Sequence, residues 1–452
     1  MNRKTYVKPS ITRLHTGGAL NKFGASPYFA RPVRTEIDGV PLAELTERYG
    51  SPLFVFSERA LRQQVRDIRQ AFTSRYPKVT FGWSYKTNYL DAICAVFHQE
   101  GSIAEVVSEM EYQKARRLGV PGDEIIFNGP NKSLEALKLA AGEGARIHID
   151  HFDEIEDLEQ VAAELGMDTL DVAIRINLDS GIQPQWSRFG FNLESGQAMD
   201  AVRRIHAGGR LRLNGLHCHI GTFMLEPGAY RVAMQKLVDF GHELEDGFGF
   251  RIGYYDIGGG LPSRSRLKGI YFPPEVAVPG IDAFAEEITE GLYSRLRPGE
   301  VPELVLESGR AMVDEAGYLV TTVKASKRLP DGRRAYVLDA GVNLLYTATW
   351  YNFTVEPDRE LQGMNEVAIL NGPLCMNIDV VDEAAMLPPM PRGTRLTLSP
   401  VGAYNVTQWM QFIEYRPAVV LIDEQGGVDV IRRREDLESM TAPEVLPQRL
   451  AL

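Results

Sequence analysis

A lysine at one strand end, three consecutive glycines at a second and a Glu-Ser-Gly-Arg run at a third carry most of the chemistry legible in this chain of 452 residues. Lys86 stands in Trp83-Ser84-Tyr85-Lys86-Thr87-Asn88, where apolar and aromatic neighbours are expected to lower its pKa by desolvation and leave a nucleophilic amine able to form an imine. Alone, a lysine at a strand end reads as a surface residue, so its company decides. In Asp256-Ile257-Gly258-Gly259-Gly260 the glycines let the backbone approach an anion closely, with consecutive N–H groups aimed at its oxygens. Glu307-Ser308-Gly309-Arg310 adds another close-approach glycine, a guanidinium matched to phosphate and a carboxylate suited to a basic ring nitrogen.

The elements that must position these residues follow one grammar from Val79 to Arg310: a short β-branched or aromatic run, a Gly- or Asn-containing loop, then an amphipathic stretch. Eight strands are expected, at Val79–Lys86, Ile103–Ser108, Ile125–Pro130, Arg146–Asp150, Asp171–Asn177, Leu213–Gly221, Tyr254–Gly260 and Glu303–Arg310. Eight parallel strands with helices between them imply an α/β fold, a closed (β/α)8 TIM barrel, whose chemistry sits at the C-terminal strand ends. The loops after strands seven and eight are a frequent phosphate site in such barrels, and they carry the glycine run and Arg310. Ahead of the barrel, Leu61, Val65, Ile68 and Phe72 recur at helical spacing and mark a buried face rather than a site. Beyond about Val320 the pattern turns to alternating strands and turns (Ala335–Asp339, Val367–Asn371, Arg395–Ser399, Val419–Ile422), an all-β domain with a hairpin turn at Gln425-Gly426-Gly427 and a Pro-rich surface loop at Leu387–Arg392. The organisation read from this is a flexible segment over 1–27, strands joining the β domain over 28–56, the barrel over 57–320 and the β domain over 321–452.

Composition excludes other classes. Forty-nine Lys and Arg against sixty Asp and Glu leave a formal charge of −11, which argues against nucleic acid or an anionic membrane as partner. Cys94, Cys218 and Cys375 form no CxxC pair, so neither a disulfide framework nor a metal site is indicated. No run of 18 apolar residues exists, and a cytoplasmic enzyme is expected.

An imine-forming lysine, a glycine and arginine cradle for phosphate and a carboxylate for a ring nitrogen together describe pyridoxal 5′-phosphate. From about Pro52 to Arg434 the chain resembles the fold-type III pyridoxal-phosphate decarboxylases, the alanine racemase-like group that contains diaminopimelate decarboxylase and ornithine decarboxylase. The resemblance rests on Tyr85-Lys86-Thr87-Asn88, His217-Cys218-His219-Ile220-Gly221-Thr222, Asp256 to Gly260, Glu307 to Arg310, Gly372-Pro373-Leu374-Cys375 and Gly402-Ala403-Tyr404, six motifs in order. It implies that Lys86 holds the cofactor, that His219 stacks on the pyridine face, that Glu307 pairs with the ring nitrogen, and that Gly258, Gly259, Gly260, Thr222, Gly309, Arg310 and Tyr404 surround the phosphate. Glu105, where the family usually has Asp, would sit near Lys86. Cys375 as a residue type fits a buried apolar thiol; its Gly-Pro-Leu-Cys context and the resemblance make it a proton donor reaching into the neighbouring subunit's site, which implies a homodimer with shared active sites. His217 reads equally as a structural histidine. Alanine racemases share the barrel but set an arginine against the ring nitrogen, so Glu307 favours decarboxylation of a small amino-acid substrate over racemisation.

The resemblance breaks at the substrate's distal end. Relatives follow the cysteine with Glu-Ser-Gly-Asp, whereas this chain has Met376-Asn377-Ile378-Asp379, and a thioether cannot pair with an ammonium group. After Asp339-Ala340-Gly341, Thr347 replaces the arginine that grips a distal carboxylate, leaving Asp339 and Asp379 as acidic candidates for a distal amine. Asn405 to Phe412, with Trp350 and Tyr351, read either as lining of a larger apolar pocket or as packing at a dimer interface. Two other readings stay open: a decarboxylase of a conjugated or carrier-bound amino acid, to which Tyr6, Pro9 and Gly17 would add partner recognition, and a non-catalytic cofactor-binding regulator, which retained Lys86, Glu307 and Cys375 argue against.

Overall fold

The computed structural model describes residues 33–182, 184–270 and 272–451; the segment expected to be flexible, with Tyr6, Pro9 and Gly17, lies outside the described residues. Strand β1 (Leu53–Ser57) is fully buried and runs straight into helix α1 (Glu58–Thr73). Ser57 caps that helix, its Oγ accepting from Ala60 N at 3.0 Å, and the face of Leu61, Val65, Ile68 and Phe72 is buried throughout. Leu61 is wholly enclosed, so Leu61→Ala should destabilise the protein by about 2–5 kcal/mol in urea unfolding.

Eight parallel strands then close a barrel: β2 (Val79–Ser84), β3 (Ile103–Val106), β4 (Ile125–Phe127), β5 (Arg146–Ile149), β6 (Leu170–Asn177), β7 (Leu211–Cys218), β8 (Tyr254–Asp256) and β9 (Glu303–Leu306). Each pairs with the next and β9 returns to β2. All but Leu170–Asn177 stop earlier than the sequence predicts, and at three of them the residues responsible are those at the site. β8 ends at Asp256 because Gly258 and Gly260 take φ of +69° and +94°, which breaks extended backbone. β9 ends before Gly309, from which the short helix Arg310–Val313 starts, and β2 ends where Tyr85–Thr87 form a 3₁₀ turn that carries Lys86 out of the sheet.

The second unit is a β sheet built on β10 (Gly317–Arg328), which pairs antiparallel with β1, β11 (Arg334–Leu338) and β15 (Arg395–Ser399). β12 (Thr354–Pro357), β13 (Glu366–Asn371), β14 (Val380–Leu387), β16 (Ala418–Ile422) and β17 (Val428–Arg432) complete it. β1 lies between β10 and β16, so a strand that precedes the barrel belongs to the C-terminal sheet and ties the two units together. The segment 387–392, expected at the surface, is partly inside: Leu387 and Met390 are buried, and Met390 N donates to Tyr336 Oη at 2.8 Å. Among the described residues no helix is long and apolar enough to cross a membrane.

Candidate active site

A cavity of about 300 Å³ opens at the C-terminal end of the barrel strands, where Lys86, His219, Thr222, Gly259, Gly260, Glu307, Gly309, Arg310 and Tyr404 all line it. Gly258 stands just behind, its carbonyl accepting from Glu307 N at 2.8 Å. Lys86 Nζ lies 2.5 Å from Glu105 Oε2 and 3.2 Å from Ser84 Oγ, and its side chain keeps 38 % of its surface because it faces the cavity. The expected lowering of its pKa does not hold. Burial pushes it down, but Glu105, Glu307 and Tyr404 together outweigh burial, and the ammonium is held above its ordinary range. The local sequence showed the apolar neighbours; the carboxylates arrive from other strands.

Asn128, at the end of β4, bridges the two acids of the site, Nδ2 donating to Glu307 Oε1 at 2.5 Å and to Glu105 Oε1 at 3.0 Å. Beside Glu307 the Asp256 carboxyl is pushed well above the usual carboxylate range by burial and by the Glu307 charge. His219 accepts from Gly259 N at Nδ1 (3.1 Å), which places its own proton on Nε2, and Trp186 packs edge-on against it at 5.3 Å. Burial, then Arg175 and Lys86, lower the His219 pKa to about 3. An unfolded histidine titrates near 6.5, so between the two values the unfolded chain binds more protons and stability rises with pH. Cofactor-free protein should lose stability as pH falls through that window, and His219→Phe should flatten the slope in a pH series of urea unfolding curves.

The glycine run works differently from the sequence expectation. Gly258 N donates to Asp256 Oδ1 and Gly259 N to His219 Nδ1, so two of the three N–H groups are committed inside the protein rather than to an anion. These positions need glycine for contact: a Cβ on Gly259 would meet Glu307 O at 2.4 Å, and one on Gly260 would meet Gly221 O at 2.2 Å. Across the cavity a Cβ on Gly309 would meet Thr87 Oγ1 at 2.1 Å. Arg310 extends from there, Nη1 3.3 Å from Asp314 Oδ2, its guanidinium 4.6 Å from the Tyr351 ring centre and 5.1 Å from that of Tyr404.

A phosphate-bearing cofactor fits these residues on their own terms. Arg310 Nε is buried without a partner, which a bound anion would remedy, and Lys86, the amine able to form an imine, reaches the same cavity. Cys375, Met376, Asp339, Asp379 and Thr347 do not line it. Asp379 is buried and accepts from Leu374 N at 2.7 Å and Val342 N at 2.8 Å. Asp339 accepts from Thr322 N (2.8 Å), Thr321 Oγ1 and Ser51 Oγ, and Thr347 Oγ1 donates to Asn405 Oδ1 at 2.9 Å. Neither Trp350 and Tyr351 nor the 405–412 segment enters the lining; Trp409 packs edge-on against Phe54. Cys375 is exposed, not buried. Residues that sequence reasoning missed do line the cavity: Asn128, Arg175, Trp186 and Leu261. Asn128 alone carried a signal, a polar residue ahead of Gly129 and Pro130 near the end of an expected strand.

A closed barrel joined to a β domain, with a lysine, a buried carboxylate, glycines and an arginine around one cavity, fits the class of pyridoxal-phosphate enzymes of barrel type. Residues 59–314 match the family model described as the pyridoxal-dependent decarboxylase, pyridoxal binding domain, and the chain belongs to that family. It uses pyridoxal phosphate, and its activity is amino-acid decarboxylation. It is 29 % identical to the diaminopimelate decarboxylase of Methanothermobacter thermautotrophicus over 92 % of this chain and 96 % of that one. With the Bacillus subtilis diaminopimelate decarboxylase it shares 28 % over 90 % and 94 %. A crystal structure of the M. jannaschii diaminopimelate decarboxylase superposes with a TM-score of 0.84 at 29 % identity, covering 93 % of this chain and 98 % of that one.

Proposed function

We propose that the chain decarboxylates an amino acid, or an amino-acid derivative, whose distal end is not read through the ion pairs that diaminopimelate would require. The lining of the cavity carries this reading. Glu105 is paired with Lys86 and Glu307 with Asn128, and the further wall is Val107, Pro130, Trp186, Phe189 and Leu261 with one cation, Arg175, 3.6 Å from Asp150. Among the described residues a distal ammonium finds no free carboxylate there, and Thr347, at the position of the family's gripping arginine, is bound to Asn405.

Bound in the cavity, pyridoxal phosphate supplies the electron sink that lets a Cα–carboxylate bond break. Lys86 is the residue that holds it, and Glu105 Oε2 and Ser84 Oγ are the acceptors for the protons of its ammonium. Glu307, fixed by Asn128, presents negative charge to the ring nitrogen; His219, fixed by Gly259, presents its ring face. Gly260, Gly309, Arg310 and Tyr404 bind the phosphate, with Gly258, Gly259 and Thr222 shaping that end. Cys375 returns a proton after carbon dioxide leaves, from the partner subunit. Supporting this, the thiol is exposed on the turn after β13, outside its own chain's cavity, and exposed Ile378, Tyr346 and Trp350 lie on that turn and on the segment after Val342 that Asp379 ties to it. The three free thiols fit a reducing compartment such as the cytoplasm.

Carbon dioxide release by cofactor-loaded protein from meso-diaminopimelate, ornithine, lysine, arginine, glutamate, aromatic amino acids and distally amidated amino acids tests the substrate reading. Turnover is expected where the distal group is uncharged; fast turnover of meso-diaminopimelate would overturn it. The shared site is tested by mixing inactive Lys86→Ala and Cys375→Ala proteins. Roughly a quarter of wild-type activity should return, since half the dimers are mixed and each holds one intact site. No recovery, in subunits shown to exchange, rejects the shared site.

A further inference from the structure

Below the site the barrel interior holds a column of rings that the reaction as described leaves unused. At its base Arg146 pairs with Glu303 at 3.1 Å and lies over the Tyr254 ring, 5.3 Å from its centre. Tyr254 runs nearly parallel to His148, with centres 5.8 Å apart and planes at 25°, and its Oη stands 3.0 Å from His148 Nε2. His148 in turn faces His217 at 4.9 Å. At the top, His217 Nε2 is 3.4 Å from Glu307 Oε2 and His148 Nδ1 is 4.0 Å from Glu307 Oε1. The barrel makes room for this column deliberately: a Cβ on Gly215 of β7 would stand 2.2 Å from Tyr254 Cζ.

Both imidazoles are almost fully buried, and His148 Nδ1 and both nitrogens of His217 have no hydrogen-bond partner, so the atoms facing Glu307 are available to it. The charged groups acting on the pair are Glu307, Glu105, Lys86, Lys132, Arg146 and Arg175. Burial, followed for His148 by His217 and for His217 by Arg175, holds both well below the ordinary histidine range and therefore neutral. Tyr254 is likewise held above its ordinary range by burial and keeps its proton. A phenol that donates to Nε2 forces the single proton of His148 onto Nδ1, the atom that faces the carboxylate. The opposite tautomer would set a lone pair against Glu307.

We propose that Tyr254, His148 and His217 are positioning residues that aim the Glu307 carboxylate at the cofactor's ring nitrogen through neutral N–H groups. Neutral donors orient the carboxylate without adding a cation that would compete with the pyridinium for it, as lysine or arginine would. The inference rests on the role proposed above for Glu307.

The chain has eight histidines, few enough for ¹⁵N-histidine NMR on cofactor-free protein. His148 should appear as the neutral Nδ1–H tautomer between about pH 5 and 8, a window in which an ordinary histidine titrates. In Tyr254→Phe it should shift toward Nε2–H. In the loaded enzyme, His148→Leu should lower kcat about tenfold, the scale of losing one polar neighbour of a buried charge, with KM little changed and a shifted cofactor absorption band. His148→Gln, which keeps an N–H, should recover most of the loss. An imidazolium or an Nε2–H tautomer in the wild-type protein would overturn the proposal. So would His148→Leu with lower thermal stability and unchanged kcat, or a stoichiometric metal ion bound between His148, His217 and Glu307. Failure of the Glu307 reading itself shows separately, as full activity in Glu307→Gln whatever the tautomer of His148.

Discussion

Replacing Lys86 with alanine should give a folded protein that lacks the visible absorption band of an imine between protein and added pyridoxal phosphate, with carbon dioxide release reduced by several orders of magnitude. Among the described residues no other lysine lines the cavity, so none of them substitutes for its amine. The alanine variant also strips Glu105, which is wholly buried, of its counter-ion. Leaving one partner of a buried ion pair uncompensated is costly, so a stability loss in this variant is expected and by itself says nothing about chemistry. Lys86→Arg separates the two effects. The guanidinium still pairs with Glu105 but forms no imine, so this variant should match the wild type in thermal unfolding and Lys86→Ala in activity. Visible absorption and turnover retained in Lys86→Arg would remove Lys86 from its assigned role.

Much of this site could be read from the chain because barrel chemistry concentrates at strand ends, and strand ends are where the pattern changes from apolar to glycine and polar. Lys86, the 258–260 glycines, Glu307 and Arg310 each announce themselves in that way, and their order along the chain fixes their neighbours once the barrel is recognised. Periodicity does not report which acids from different strands meet one cation. Asn128 joins partners 23 and 179 residues away, and the column from Arg146 to Glu307 draws on four strands. The same blindness misled the expectation for Lys86, whose sequence neighbours are apolar while its spatial neighbours are charged. It also left Asp339 and Asp379 as free acids, when backbone N–H groups take up both, Thr322 N from the neighbouring strand for Asp339 and Leu374 N and Val342 N for Asp379. A carboxylate's charge is visible in a sequence; the donors that consume it are not.

Glu307→Gln should preserve the shape of the site and lower kcat by about 10²–10³, the scale seen when one preorganised electrostatic partner of a developing charge is removed. Asn128 Nδ2 can still donate to the retained amide oxygen, so the side chain should keep its place. Removing a charge buried beside Asp256, whose carboxyl is pushed up by burial and further by that charge, is expected to leave thermal stability unchanged or slightly raised. The loss should therefore fall on kcat rather than on folding or on KM. It should also be selective. Breaking the Cα–carboxylate bond leaves two electrons for which a charged ring nitrogen is the best acceptor, whereas reversible loss of the Cα proton tolerates a weaker sink. Glu307→Gln should then lose carbon dioxide release more steeply than exchange of the Cα proton with deuterated solvent, a ratio read from one incubation by mass spectrometry. An equal fall in both rates would mean that the carboxylate only holds the cofactor; a fall in release alone identifies its charge as what commits this barrel to decarboxylation.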